Sequence, residues 1–108
     1  MDAILVITNL PDRDSALGVA EQLVTERLAA CVSLLGECTS VYRWKGEMER
    51  AAEVTLLIKT RAAHYPRVEA AIRAVHPYEL PEILAVPISA GLPGYLQWIA
   101  AETAAPES

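Results

Sequence analysis

The sequence predicts an α+β fold: a four-stranded antiparallel sheet with two helices on one face, an extended hairpin between its second and third strands, and an extra C-terminal helix. Three observations carry this reading. Short apolar or alternating runs mark four strands. Two stretches with apolar residues at helical spacing follow the first and third of them. Lys45-Gly46-Glu47 joins two alternating arms that together reach from about Ala30 to Lys59. The order βαββαβ is two split β-α-β units, the ferredoxin-like sandwich. Right-handed crossovers then put the first and third strands in the centre and the last at an edge.

Ala3–Thr8 opens the chain as a buried strand, with Ile4, Leu5, Val6 and Ile7 in succession. Asn9-Leu10-Pro11-Asp12 is a turn, and Asp12 is an N-cap for the first helix. Ala16, Leu17, Ala20, Leu23, Val24 and Leu28 are expected on its inner face, and Ala16 and Ala20 let it sit close to the sheet. Ala30–Leu35 is a second strand that Gly36 should break. Val41, Arg43 and Lys45 then alternate with Tyr42 and Trp44, and Gly46 is free to take positive φ at the turn. Glu53–Lys59 returns as the third strand. A hairpin of that length exceeds the usual strand of about five or six residues, so its tip should project. Tyr42 and Trp44 near that tip then need cover, either from their own chain or, as preferred here, from a neighbouring subunit.

The second helix carries Pro66 in its first turn and Tyr65, Val68, Ile72 and Val75 on its apolar side; His76-Pro77 ends it. Glu82–Ser89 is the last strand, and Pro87 within it suits a sheet edge, where a missing N–H costs nothing. Gly91-Leu92-Pro93 starts the closing helix, with Leu92, Tyr95, Leu96 and Ile99 expected inside. Residues 1–103 make one domain and 104–108 a flexible tail.

Hydrophobic residues are 53% of 108, rich for a chain that buries only about two-thirds of its unfolded surface. The surplus points to a subunit interface. A net charge of −5 without a basic run excludes a nucleic-acid surface. No segment reaches the roughly 18 apolar residues of a membrane span. The acidic start Met1-Asp2 lacks the basic region of a secretory signal, so a cytoplasmic location is expected, with Cys31 and Cys38 as thiols.

His76-Pro77-Tyr78-Glu79-Leu80-Pro81-Glu82-Ile83 is the densest concentration of chemistry. Two prolines stiffen a backbone that carries an imidazole, a phenol and two carboxylates. There is no phosphate loop, dinucleotide fingerprint, His-Glu-x-x-His pair or nucleophile elbow, so no organic cofactor is expected. Three readings stay open. His76 and Cys31 are candidate metal ligands, suited to copper or zinc, with Glu79 and Glu82 beside them. Equally, His76 caps helix carbonyls and Cys31 fills a core position. Acid–base chemistry between His76 and Glu79 or Glu82 has no nucleophile or oxyanion donor to complete it, so no enzyme is expected. A structural or regulatory oligomer, with Tyr78, Glu79, Glu82 and Lys59 lining an inter-subunit cleft, is the third.

Several segments together resemble the divalent-cation tolerance family known as CutA. They are Glu26-Arg27-Leu28-Ala29-Ala30-Cys31-Val32, Ser40–Glu47, Leu57-Ile58-Lys59-Thr60, His76–Ile83 and Tyr95–Ile99, in order along nearly the whole chain. The resemblance implies a ferredoxin-like fold, a homotrimer built from the long hairpins, a cytoplasmic location and a role in tolerance of copper and other divalent ions. It assigns His76 and Cys31 as the matching metal-ligand positions. Some members carry a further cysteine where this chain has Thr8, and a second histidine where it has Val75. A metal site here therefore needs neighbouring chains or nearby carboxylates. The trimeric PII signalling proteins share the fold and are the alternative resemblance, as small-molecule sensors.

Overall fold

Strand alternation decides the layering. Along β1 (Ala3–Leu10), Ile4, Val6, Thr8 and Leu10 point to one side, opposite Thr60, Ile58, Leu56 and Val54 of β3 (Glu47–Arg61). All eight are buried. Val6, Leu10, Leu56 and Ile58 are each almost wholly removed from water, worth about 1.5–3 kcal/mol apiece. The computed structural model describes residues 1–104; residues 105–108 of the expected tail lie outside the described residues. The sheet is antiparallel in the order β2-β3-β1-β4, with β2 spanning Cys31–Trp44 and β4 spanning Ile83–Pro87. β1 and β3 are central and Pro87 lies on an edge strand, the ferredoxin-like arrangement.

Helices α1 (Arg13–Thr25) and α2 (Tyr65–Val75) cover the buried side through Ala16, Val19, Leu23, Val68 and Ile72. Asp12 caps α1 by accepting the Ser15 N–H at 2.8 Å. The apolar sides of both helices are narrower than their spacing suggests. Leu17 (46% exposed), Val24 and Val75 face outward, and Val19 is buried instead. Small Ala16 and Ala20 at the contact draw α1 down on a stripe too narrow to include positions either side of it.

α1 ends in an unusual way. The Leu28 N–H bonds to the Leu23 carbonyl and the Arg27 N–H to Val24, a Schellman turn with Arg27 at the position normally given to glycine, φ 58°. The arginine side chain accounts for the exception. Its guanidinium donates to the carbonyls of Ala101 (2.8 Å) and Ala104 (3.2 Å), closing the last turn of α3 (Pro93–Glu102). Arg61 donates to the Thr103 hydroxyl (2.9 Å) and the Ala100 carbonyl, and His64, at the end of a 3₁₀ turn (Ala62–His64), bonds the Thr103 carbonyl at 2.7 Å. The two arginines thus offset the negative end of that helix. α3 lies against β3 and β1 on the face opposite α1 and α2, since Arg61 projects there. Ile99 alone on α3 is fully buried, whereas the expected inner residues Leu92 and Tyr95 are exposed. Polar bonds, more than apolar contact, hold this helix.

β2 runs unbroken through Gly36, contrary to expectation, because the register shift between Leu34 and Glu37 absorbs it as a bulge. Lys45 (φ 51°) and Gly46 (φ 84°) both take positive φ, the primed turn that matches strand twist. β1 stops opposite Val54, while β2 and β3 continue for seven more pairs, Cys38/Glu53 to Trp44/Glu47. This ribbon extends about 20 Å past the sheet. One face carries Ser40, Tyr42 and Trp44 with Glu47, Glu49 and Glu53; the other carries Val41 and Arg43 with Met48 and Arg50.

Arg27→Ala is expected to lower stability by about 1 kcal/mol through loss of two exposed charge-assisted bonds. Arg27→Gly should end about 1 kcal/mol above Arg27→Ala, since glycine relieves the left-handed backbone. Denaturant unfolding checks both; an alanine variant as stable as the parent removes the proposed clamp.

Candidate functional site: a cleft beside the ribbon

Residues 76–82 run from the end of α2 to the start of β4 and lie against the last residues of β1. Pro77 holds His76 extended (φ −72°, ψ 131°), and the His76 N–H closes α2 on the Ile72 carbonyl at 2.9 Å. The imidazole Nε2 lies 2.6 Å from the Asn9 carbonyl, and Nδ1 accepts the Tyr78 N–H at 3.2 Å. A carbonyl only accepts, so Nε2 carries the proton and both nitrogens are engaged. At the far end, the Thr8 hydroxyl donates to the Glu82 carbonyl (2.7 Å) and the Asn9 amide to the Glu82 carboxylate (3.3 Å). The segment is therefore pinned at both ends to the last residues of β1.

Its middle faces the acidic and aromatic side of the ribbon. Between them lies a cavity of about 780 Å³ whose walls include Tyr42, Trp44, Glu53, Tyr78, Glu79 and Glu82. The phenol of Tyr78 is pushed up to about 12, first by burial and then by the charge of the nearby Glu53 carboxylate. At the rim, Lys45 Nζ pairs with Glu79 at 3.4 Å and lies 5.6 Å from the centre of the Trp44 ring. Both partners are largely in water, so the pair is worth about 0–1 kcal/mol.

Five of the residues singled out from the sequence meet here: Tyr42, Trp44, Tyr78, Glu79 and Glu82. His76 is adjacent and orients Tyr78, with ring centres 4.7 Å apart. Both walls of this cavity come from a single chain. Lys59 does not line this cleft within one chain. It pairs with Leu5, four residues or about 13 Å along β1 from Asn9, and donates to Ser33 at 2.5 Å with Cys31 Sγ at 3.8 Å. Cys31 is on that same level, so it and His76 do not converge. Among the described residues no group of three His, Cys, Asp or Glu side chains is placed to hold a metal ion. Sequence reasoning missed Glu53, Asn9 and Lys45. The signal for Glu53 was its phase: Glu47, Glu49 and Glu53 share the parity that the turn assigns to Tyr42 and Trp44.

Because its folded value lies above the ordinary 10, the Tyr78 phenol contributes stability in full below about pH 10 and loses it as pH rises toward 12. An absorbance titration of phenolate should show a step near 12 that is absent in Tyr78→Phe and moved down in Glu53→Gln. The same step in Tyr78→Phe would assign it to another tyrosine.

The model of the CutA1 divalent ion tolerance protein family matches residues 4–102. The divalent-cation tolerance protein CutA of Thermus thermophilus is 42% identical over 103 residues, 95% of this chain and 99% of that protein. Among solved structures, CutA from Xylella fastidiosa superposes with a TM-score of 0.93 at 46% identity, covering 96% of this chain and all of that one. The periplasmic divalent cation tolerance protein CutA from Archaeoglobus fulgidus gives 0.92 at 31% identity, covering 94% and 99%.

Proposed function

From the premise that this chain belongs to the CutA1 divalent ion tolerance family, we propose that it acts in tolerance of copper or another divalent ion as a cytoplasmic homotrimer that binds the ion rather than transforming a substrate. The observation that carries the reading is the state of His76. Its Nε2–H is given to the Asn9 carbonyl at 2.6 Å, the outer-shell bond that typically orients a metal-ligating imidazole. That leaves Nδ1 as the ligand atom, held only by a longer bond from an exposed amide. Imidazole suits copper or zinc. A single chain offers no complete ligand set among the described residues, so His76 requires donors from a neighbouring copy. Cys31 enters the same site only if a neighbour's chain brings it there.

Assembly has ample surface to use. Val41 and Met48 (72% exposed) lie on the ribbon, and Leu84 and Val86 extend the half-buried Leu5, Ile7 and Leu57 across the sheet face away from α1 and α2. Tyr42 (45% exposed) keeps one side for a neighbour, while Trp44 is turned more toward its own cleft. No helix among the described residues is long and apolar enough to cross a membrane. The family match favours this reading over a PII-like sensor.

Calorimetric titration with copper or zinc should give saturable binding that His76→Ala weakens several-fold, with sedimentation unchanged at three times the 11.7 kDa chain mass. Unaltered affinity in that variant would remove His76 from the site. Met48→Glu should shift the sedimentation toward the monomer; an intact assembly would exclude the outer face of the ribbon from the contact.

A further inference from the structure

Glu53 is the unexplained group of the cleft. It is only 7% exposed, yet it forms no ion pair among the described residues, where Lys45–Glu79 is the single one. A carboxylate largely covered by its own chain gains from an opposite charge or several donors, and the Tyr78 phenol is a donor group near it. The other charged groups lining the cavity, Glu79 and Glu82, carry the same sign, and no basic side chain lines it. Three carboxylates thus face a space of about 780 Å³, within the range of small-molecule sites.

The remaining walls say which kind of cation fits. Tyr42, Trp44 and Tyr78 present rings, and Leu80 and two prolines complete an apolar lining. Rings and prolines do not ligate metal ions, but aromatic faces attract ammonium groups and cover methylene chains. A hard divalent ion wants about six oxygen donors, and no group of even three converges in the described chain. The chain itself supplies a precedent at the rim. There the Lys45 ammonium lies 3.4 Å from the Glu79 carboxylate and 5.6 Å from the centre of the Trp44 ring, an alkylammonium near one acid and one ring at the exposed edge of the cleft.

We propose that this cleft binds an organic diammonium or polyamine cation, its ammonium groups at Glu53 and Glu82 and its methylene chain against Tyr42, Trp44 and Tyr78. This site is separate from the metal reading above, since it rests on Glu53 and the rings rather than on Nδ1 of His76. One chain provides both walls, and the charge spacing of a flexible polyamine adapts to the two carboxylates.

Spermidine titrated into the intact protein at fixed ionic strength, read by calorimetry and tryptophan emission, tests the proposal. The expected result is saturable binding with a change in emission that persists in Trp98→Leu and is lost in Trp44→Leu. Glu53→Gln should weaken affinity about tenfold or more, as for loss of a charged hydrogen bond. Magnesium at matched charge should not compete. Binding that does not saturate, that magnesium displaces equally, or that Glu53→Gln leaves unaltered would overturn it. Should Glu53→Gln fail to fold, Glu82→Gln carries the same expectation. Loss of copper binding with spermidine binding intact would count only against the metal reading.

Discussion

The central constraint is a mismatch in strand length. β1 ends opposite Val54, yet β3 continues to Glu47 and keeps only β2 as a paired neighbour along that stretch. A strand edge with no partner exposes backbone donors and acceptors and invites something to lie beside it. The 76–82 segment is tied to the end of β1 by Thr8, Asn9 and His76 and faces the ribbon from there. The cleft lies between this stiff, proline-containing loop and the ribbon that outruns β1. Its chemistry follows from the same arrangement, since the ribbon face turned to that loop is the one bearing Tyr42, Trp44 and Glu53.

The two ends of the molecule are held by different physics. Under α1 and α2 the sheet is sealed by aliphatic packing that costs several kcal/mol to disturb at any one residue. α3, on the opposite face, buries one residue fully and depends on Arg27, Arg61 and His64 at its C-terminal carbonyls. Elements with few buried apolar contacts open first, so α3 belongs to the low-stability part of the fold. That face also carries the apolar surface left uncovered in one chain, around Leu84 and Val86. Packing of further copies there would secure helix and sheet together.

An acidic chain with its carboxylates gathered in one concavity concentrates cations near it, whatever their kind. Selection between kinds then comes from what surrounds the charge. An imidazole with one nitrogen fixed by a carbonyl favours a metal that accepts nitrogen ligands, and rings around a partly covered carboxylate favour an ammonium group. The two proposed sites are neighbours joined through the His76–Tyr78 contact, yet they draw on separate atoms. Tolerance of a metal ion and recognition of an organic cation can therefore be examined as independent properties of one surface.

Strand and helix identities were readable from the chain because they depend on local periodicity: Asp12, Gly46, Pro66 and Pro87 each act where the sequence places them. The His76–Ile83 motif was equally legible, since its two prolines mark a rigid segment without any tertiary knowledge. Gly36 misled, because a glycine that ends a strand and one that sits in a bulge look alike until the partner strand is in register. The place of Lys59 was not legible for a related reason. Its distance from Asn9 is set by which residue of β1 it faces, and pairing between segments some fifty residues apart is not a local property. Amino-acid order alone thus determined the elements, their succession and the stiff polar loop. The tertiary structure alone decided that Glu53 is largely covered, that both walls of the cleft belong to one chain, and that Cys31 lies a strand's half-length from His76, because burial and convergence arise only once distant segments pack.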